Sequence, residues 1–154
     1  MFDTKKYTEI KDFIKKSSKI TKIIAISKNH GIESVNQAIN FGVTDFGENR
    51  VQEAETKFNI NIKKKNQIKL HLTGPLQTNK VRQALNIFDV FHTLDREKLL
   101  KELSKFPQEI KHKSFFIQVN TGLESSKTGI NPNEVEEFLV LCKRYGIKNL
   151  LGLM

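Results

Sequence analysis

Hydrophobic positions along the chain switch repeatedly between two periods. Tyr7, Ile10 and Ile14 share one side of a helical wheel with lysines opposite, which predicts an opening helix. "KIIAIS" at 22–27 is then a continuous apolar run of strand length. Val35, Ala38 and Ile39 form a helical stripe that stops at Phe41–Gly42, where glycine suits the position just past a helix end. "VTDFG" reads as a second strand, and Val51, Ala54 and Phe58 mark the helix after it. "IKLHLTG" is a third strand, followed by a short helix through Val81, Ala84 and Leu85. "VFHTL" is a fourth strand, with Leu99, Leu100 and Leu103 on the next helix. "FFIQVN" is a fifth. Pro132 opens a helix carrying Val135, Phe138, Leu139 and Cys142 on one face, and "LLGLM" is a sixth strand.

Strict alternation of helices with strands apolar on both faces argues for a parallel sheet covered by helices. Right-handed crossovers then allow an open doubly wound sheet or a barrel. No Pro/Gly-rich linker or low-complexity tract divides the 154 residues, so a single domain is expected over 1–154.

Composition narrows the function classes. The first 22 residues carry charges throughout and do not read as a signal peptide. No run approaches the ~18 apolar residues of a membrane helix. The single cysteine, Cys142, rules out an internal disulfide framework, and its place on an apolar stripe reads as core packing. A soluble, cytoplasmic protein without a membrane partner is expected. The formal charge of +9 is mostly lysine spread over helices. Its densest cluster, Lys63–Lys64–Lys65, is expected in a polar connector without interleaved aromatics, so nucleic acid is not the expected partner.

The strand ends carry the candidate chemistry, because parallel α/β folds bind ligands at the C-terminal ends of their strands. Strand one ends in Ser27–Lys28. Strand two runs into "GENR" at 47–50. Strand three carries His71 and runs into "TGPLQTNK" at 73–80. Strand four carries His92 and ends near Asp95, and strand five ends in "QVNTG" at 118–122.

Period-two alternation puts Ile24, Ile26 and Lys28 on one side of strand one. An amine rising from an apolar wall is partly desolvated, which lowers its pKa and makes it a nucleophile for carbonyls. The alternative is a lysine that snorkels from the strand end into water, and spacing leaves both open. "GPLQTNK" is not a phosphate-binding P-loop, since the second glycine is absent, although its glycine and helix start suit an anion. His71 and His92 have no carboxylate or cysteine at metal-ligand spacing and read as hydrogen-bonded strand histidines, so no metal is expected. Glu48 has no second carboxylate beside it in sequence, and Asp45 is expected to turn elsewhere.

The motifs "AISK", "FGENRVQE", "HLTGPLQTNK", "FHTLD", "QVNTGLESSKTGI" and "GLM", in this order, resemble the pyridoxal-phosphate homeostasis proteins, which are similar to the barrel domain of alanine racemase. The resemblance implies a (β/α)8 TIM-barrel type of fold, alanine racemase N-terminal domain-like. It also implies pyridoxal 5′-phosphate held as a Schiff base on Lys28. Asn49, Thr73, Gly74 and Asn120 match positions lining the cofactor mouth, and Lys127 matches a loop lysine above the rim. It implies a carrier with no catalytic residue, serving pyridoxal-phosphate-dependent apoenzymes. The alternative is a racemase-like enzyme, which needs a second acid/base on the opposite cofactor face. The chain's only tyrosines, Tyr7 and Tyr145, lie on predicted helix faces.

One departure stands out. Family members continue past "GLM" for two more strands. About six of eight strands are therefore expected here, making an incomplete cofactor-binding barrel with unpaired edges at strands one and six. The absent C-terminal part of the barrel is a possible partner, and weak cofactor binding is expected without the phosphate loops after strands seven and eight.

Overall fold

The computed structural model describes residues 1–17 and 20–154. Six strands form one parallel sheet: β1 (Ala25–Ile26), β2 (Asp45–Glu48), β3 (Lys69–Leu72), β4 (Val90–Leu94), β5 (Ser114–Ile117) and β6 (Leu150–Leu153). Their order in the sheet is their order in the chain, and every pair is parallel. That sequential winding is the arrangement of a barrel and not of a doubly wound sheet, whose strand order reverses. Among the described residues the arc stays open, with β1 paired to β2 and β6 to β5 on one side only.

Helices connect the strands: α1 (Thr4–Ser17), α2 (Ile32–Asn40), α3 (Val51–Lys57), α4 (Ile60–Lys65), α5 (Val81–Ile87), α6 (Glu97–Leu103), α7 (Pro107–Ile110) and α8 (Val135–Arg144). Short 3-10 turns at Thr78–Lys80 and Pro132–Glu134 lead into α5 and α8. Gly42 follows α2 with φ +90°, the left-handed conformation expected there. Among the described residues no helix is long and apolar enough to cross a membrane.

Alternation along each strand separates two faces. The outer face packs on the helices. Phe46 meets Phe58 at 5.3 Å between ring centroids, and Phe91 stacks on Phe115 at 5.3 Å. Leu70, Leu72, Leu99, Leu100 and Leu103 are fully buried with them. Each such side chain contributes about 1.5–3 kcal/mol on burial, which makes this outer layer the main core. The inner face is a separate row: Ile24, Ile26, Gly47 and Thr73 converge, His71 reaches both Asp45 and His92, and His92 stacks on Phe116.

Several sequence expectations need correction. β1 pairs over two residues only, although the apolar run is longer, because it borders a single neighbour and turns at Ser27. Ile10 of the expected α1 stripe is exposed, because α1 buries no residue fully and packs through Tyr7, beside Phe2 of the preceding segment, against Phe41. The three lysines at 63–65 are the last turn of α4 and not a connector. Asn59 caps that helix by accepting from the Ile62 amide, and Lys63 donates to the Ile87 carbonyl and pairs with Asp89 at 2.7 Å. Asp45, by contrast, turns away from Glu48 as expected: it faces inward and meets His71 at 3.3 Å, while Glu48 faces α3 and binds Lys57.

Candidate functional site

Register brings the candidate residues to one rim. Ile26 pairs with Gly47, and the Ser27 amide donates to the Gly47 carbonyl at 2.9 Å. Glu48 pairs with Leu72, and the Thr73 amide donates to the Glu48 carbonyl at 2.9 Å. Lys28, Asn49 and Thr73–Gly74 therefore leave three adjacent strands at the same level. Asn120 and Lys127 lie on the same rim beyond β5.

Lys28 does not continue the strand. The His30 amide donates to the Ser27 carbonyl at 3.1 Å, and Asn29 has φ +63°. A positive φ at the third residue is the pattern of a type II turn, where asparagine is tolerated. Lys28 occupies the second position and projects from a corner. It is exposed, so the partial desolvation expected from strand alternation is not present. Its amine has no ion-pair or hydrogen-bond partner among the described residues.

The turn is anchored from below by a buried ion cluster. Lys57 of α3 donates to Glu48 at 2.9 Å, to Glu53 at 2.7 Å and to the Ser27 carbonyl at 2.6 Å. Ser27 Oγ donates to Glu48 at 2.7 Å, and the Asn29 amide donates to Glu53 at 2.6 Å. The hydrogen bond from Lys57 holds the Glu53 carboxyl below its ordinary range. Burial works to lower the Lys57 ammonium, but its bonds to Glu53 and Glu48 outweigh that and hold it above its usual value. Sequence reasoning missed this cluster. The signal was the Glu53–Lys57 spacing of four on a helix whose entry carries Glu48.

Asn49 and Thr73 touch directly, with Thr73 Oγ1 donating to Asn49 Oδ1 at 2.9 Å. This leaves the Asn49 amide hydrogens without an acceptor among the described residues. Gly74 is where the two rim loops press together: a Cβ there would sit 2.4 Å from the Asn49 carbonyl oxygen. Asn120 uses its side-chain amide on its own loop, donating to the Glu124 carbonyl at 2.9 Å and accepting from the Glu124 amide at 3.3 Å. Lys127 is exposed and paired with Glu124 at 2.6 Å.

Two further features frame the rim. A concavity of about 540 Å³ lies between the ends of β2, β3 and β4, lined in part by Asn49, Arg50, Gln77, Lys80 and Arg96. Arg96 is fixed by Asp95 at 2.5 Å and the Leu76 carbonyl at 2.6 Å. Arg50 and Lys80, together with the Asp95-paired Arg96, give the hollow a positive balance that favours anionic ligands. On the inner face, His71 Nδ1 and His92 Nε2 lie 2.9 Å apart. Burial, and then the neighbouring His71, pushes His92 down to about 4, and burial also lowers His71 against the opposing pull of Asp45. Among the described residues no group of three His, Cys, Asp or Glu side chains could hold a metal ion.

Residues 5–154 match the family model described as alanine racemase, N-terminal domain. The chain is 39% identical over 135 residues to the pyridoxal phosphate homeostasis protein of Vibrio alginolyticus, a match covering 86% of this chain and 58% of that relative. It thus spans little more than half of the relative's length. Among solved structures, PipY of Synechococcus elongatus PCC7942 with PLP bound is similar with a TM-score of 0.77 at 26% identity, over 96% of this chain and 69% of PipY. Alanine racemase from E. faecalis is similar in fold, with a TM-score of 0.70 at 17% identity, over 99% of this chain and 42% of that one.

Proposed function

The chain belongs to the alanine racemase N-terminal domain family, and on that premise we propose that it holds pyridoxal 5′-phosphate reversibly, with Lys28 as the point of covalent attachment, and does not turn over a substrate. The observation that carries this reading is the Lys28 amine itself. It stands exposed at a turn corner on the C-terminal rim, with no partner among the described residues, one strand from Asn49 and two from Thr73.

The residues present fit the cofactor. Bound pyridoxal phosphate supplies an aldehyde, which condenses reversibly with an amine. Lys28 offers that amine. Gly47, lacking a side chain, lets Ile26 pack directly over β2; a Cβ there would lie 2.5 Å from Ile26 Cδ1, so the wall beside Lys28 is closed and apolar. Asn49 offers unused amide hydrogens, and the cations of the neighbouring concavity favour a phosphorylated ligand. Reversible attachment suits storage of a reactive aldehyde in the cytoplasm and its delivery to pyridoxal-phosphate-dependent apoenzymes.

Neither tyrosine of this chain is placed to serve as a racemase's second acid/base. A racemase needs a second acid/base facing the attachment lysine. Tyr7 packs tilted against Phe2 and edge-on against Phe41 in the outer helical layer, and Tyr145, at the end of α8, donates to Glu97 of α6 at 2.9 Å. Neither reaches the inner face.

The test is direct. The protein is mixed with pyridoxal 5′-phosphate, reduced with borohydride, digested and mapped. Modification of Lys28, lost in Lys28→Ala, is the expected result. A folded protein with no adduct on Lys28 would overturn the attachment. Exchange of an amino acid α-proton with deuterated solvent, dependent on Lys28, would replace holding by turnover.

A further inference from the structure

We propose that Lys57, Glu48 and Glu53 form a buried clamp that positions Lys28 by gripping the main chain on both sides of it; the inference rests on Lys28 being the attachment point.

The reasoning starts from what the cluster touches. Among the described residues, the hydrogen bonds of its three side chains go, beyond one another, to Ser27 and Asn29, and Arg50 acts on Glu53 by charge alone. Lys57 Nζ binds the Ser27 carbonyl at 2.6 Å, Glu48 Oε1 accepts from Ser27 Oγ at 2.7 Å, and Glu53 Oε1 accepts from the Asn29 amide at 2.6 Å. The residue between those contacts is Lys28. The cluster thus fixes the carbonyl before Lys28 and the amide after it, and leaves the side chain free.

The cost of the arrangement argues that it does more than stabilise. The side chains of Lys57 and Glu48 are 7% and 0% exposed, and Glu48 Oε2 is buried with no hydrogen-bond partner among the described residues. Buried ion clusters are usually no more stabilising than apolar packing of the same volume. What charges supply and methyl groups do not is direction: an ammonium and two carboxylates select particular backbone donors and acceptors. Here they select a turn that Asn29 completes at a positive φ. An uncapped turn at an exposed strand end would sample other conformations and carry the amine away from the mouth. Loss of attack geometry lowers rates steeply, reaching about a hundredfold for a displacement of ~1 Å.

Glu53→Ala tests this on the whole chain, because Glu53 is the least buried member and its loss is the mildest. Glu53→Gln is the control that keeps a neutral acceptor for the Asn29 amide, and Lys57→Met removes the hub. Two measurements are made on each folded variant. Amide hydrogen exchange at Asn29 reads the clamp without any cofactor. The rate of borohydride-trapped adduct formation at Lys28, relative to the exposed Lys98 and Lys148, reads its consequence. Glu53→Ala is expected to speed exchange at Asn29 and slow trapping at Lys28 about tenfold or more, with Lys98 and Lys148 unchanged. Glu53→Gln should stay within about threefold of the parent. Trapping at the parental rate in Glu53→Ala, or unchanged exchange at Asn29, overturns the clamp while leaving the proposed function standing. No adduct on Lys28 in the parent chain removes the proposed function and this inference with it.

Discussion

Acidification should weaken this fold through one imidazole pair. His71 and His92 face each other nitrogen to nitrogen at 2.9 Å, a gap that accommodates one proton and not two. His92 is further enclosed by its stack on Phe116, with ring centroids 4.6 Å apart. Asp45 touches His71, while Lys69 and Asp89 act on it from farther off. In the unfolded chain His92 takes up a proton near its ordinary value of 6.5, but in the folded chain only near 4. Between those values the unfolded state holds more protons, so stability falls as pH falls. Above 6.5 both states are neutral at this site and the effect vanishes. Each pH unit of the interval costs about 1.4 kcal/mol per proton, or ~3 kcal/mol in all. That is a large share of a typical stability of about 5–15 kcal/mol. Burial of His71 acts with the same sign. The Glu53 carboxyl is held below 4.5, so its own contribution is lost only under that value and leaves the upper window to the histidines. The chain has no tryptophan, so urea unfolding is best followed by far-UV circular dichroism, at steps from pH 7.5 to 4.5, for the parent and His92→Gln. The parent should lose stability across the window and the variant should lose less. Parallel curves for the two proteins would refute the assignment.

Other expectations follow from single contacts. Gly74→Ala should cost about 1–3 kcal/mol in urea and loosen the Thr73–Asn49 hydrogen bond, because the new methyl meets main-chain atoms of Asn49 and not a side chain that can swing away. Cys142 should resist thiol reagents in the native protein and react once urea unfolds it, since it is fully buried and burial pushes its thiol up to about 11. Leu100→Ala should lower stability by about 2–5 kcal/mol, read as a drop in the thermal midpoint, because this α6 side chain is completely buried in the hydrophobic core.

Much of the architecture could be read from the residues. All six strands announced themselves through an apolar run; in the four inner strands that run buries an outer face, with Phe46, Leu72, Phe91 and Phe115 on it, whereas the edge strands β1 and β6 stay largely exposed. α8 was legible through Phe138 and Cys142, which are both buried. α4 and α7 were not. α4 is six residues long with three lysines and draws its stability from the Asn59 cap and from Lys63 contacts that are distant in sequence. α7 is a single turn opened by Pro107. At the candidate site, the rim position of Lys28 followed from counting strands, but its surroundings did not. Alternation assumes that a strand continues, and the turn at Ser27–His30 ends it. The ion cluster was hidden for a related reason. Glu48 looked isolated because its partners arrive from α3 and from the turn, and only folding brings them within 3 Å.

The sequential strand order also bears on how the molecule assembles. Each strand finds its mate in the very next unit, so no step requires distant stretches of polypeptide to meet across an unstructured span. The entropy lost per closure stays nearly constant from one end of the sheet to the other. A nascent chain leaving the ribosome can lay down each unit against its predecessor in turn, so each pairing waits only on the one crossover that separates neighbouring strands.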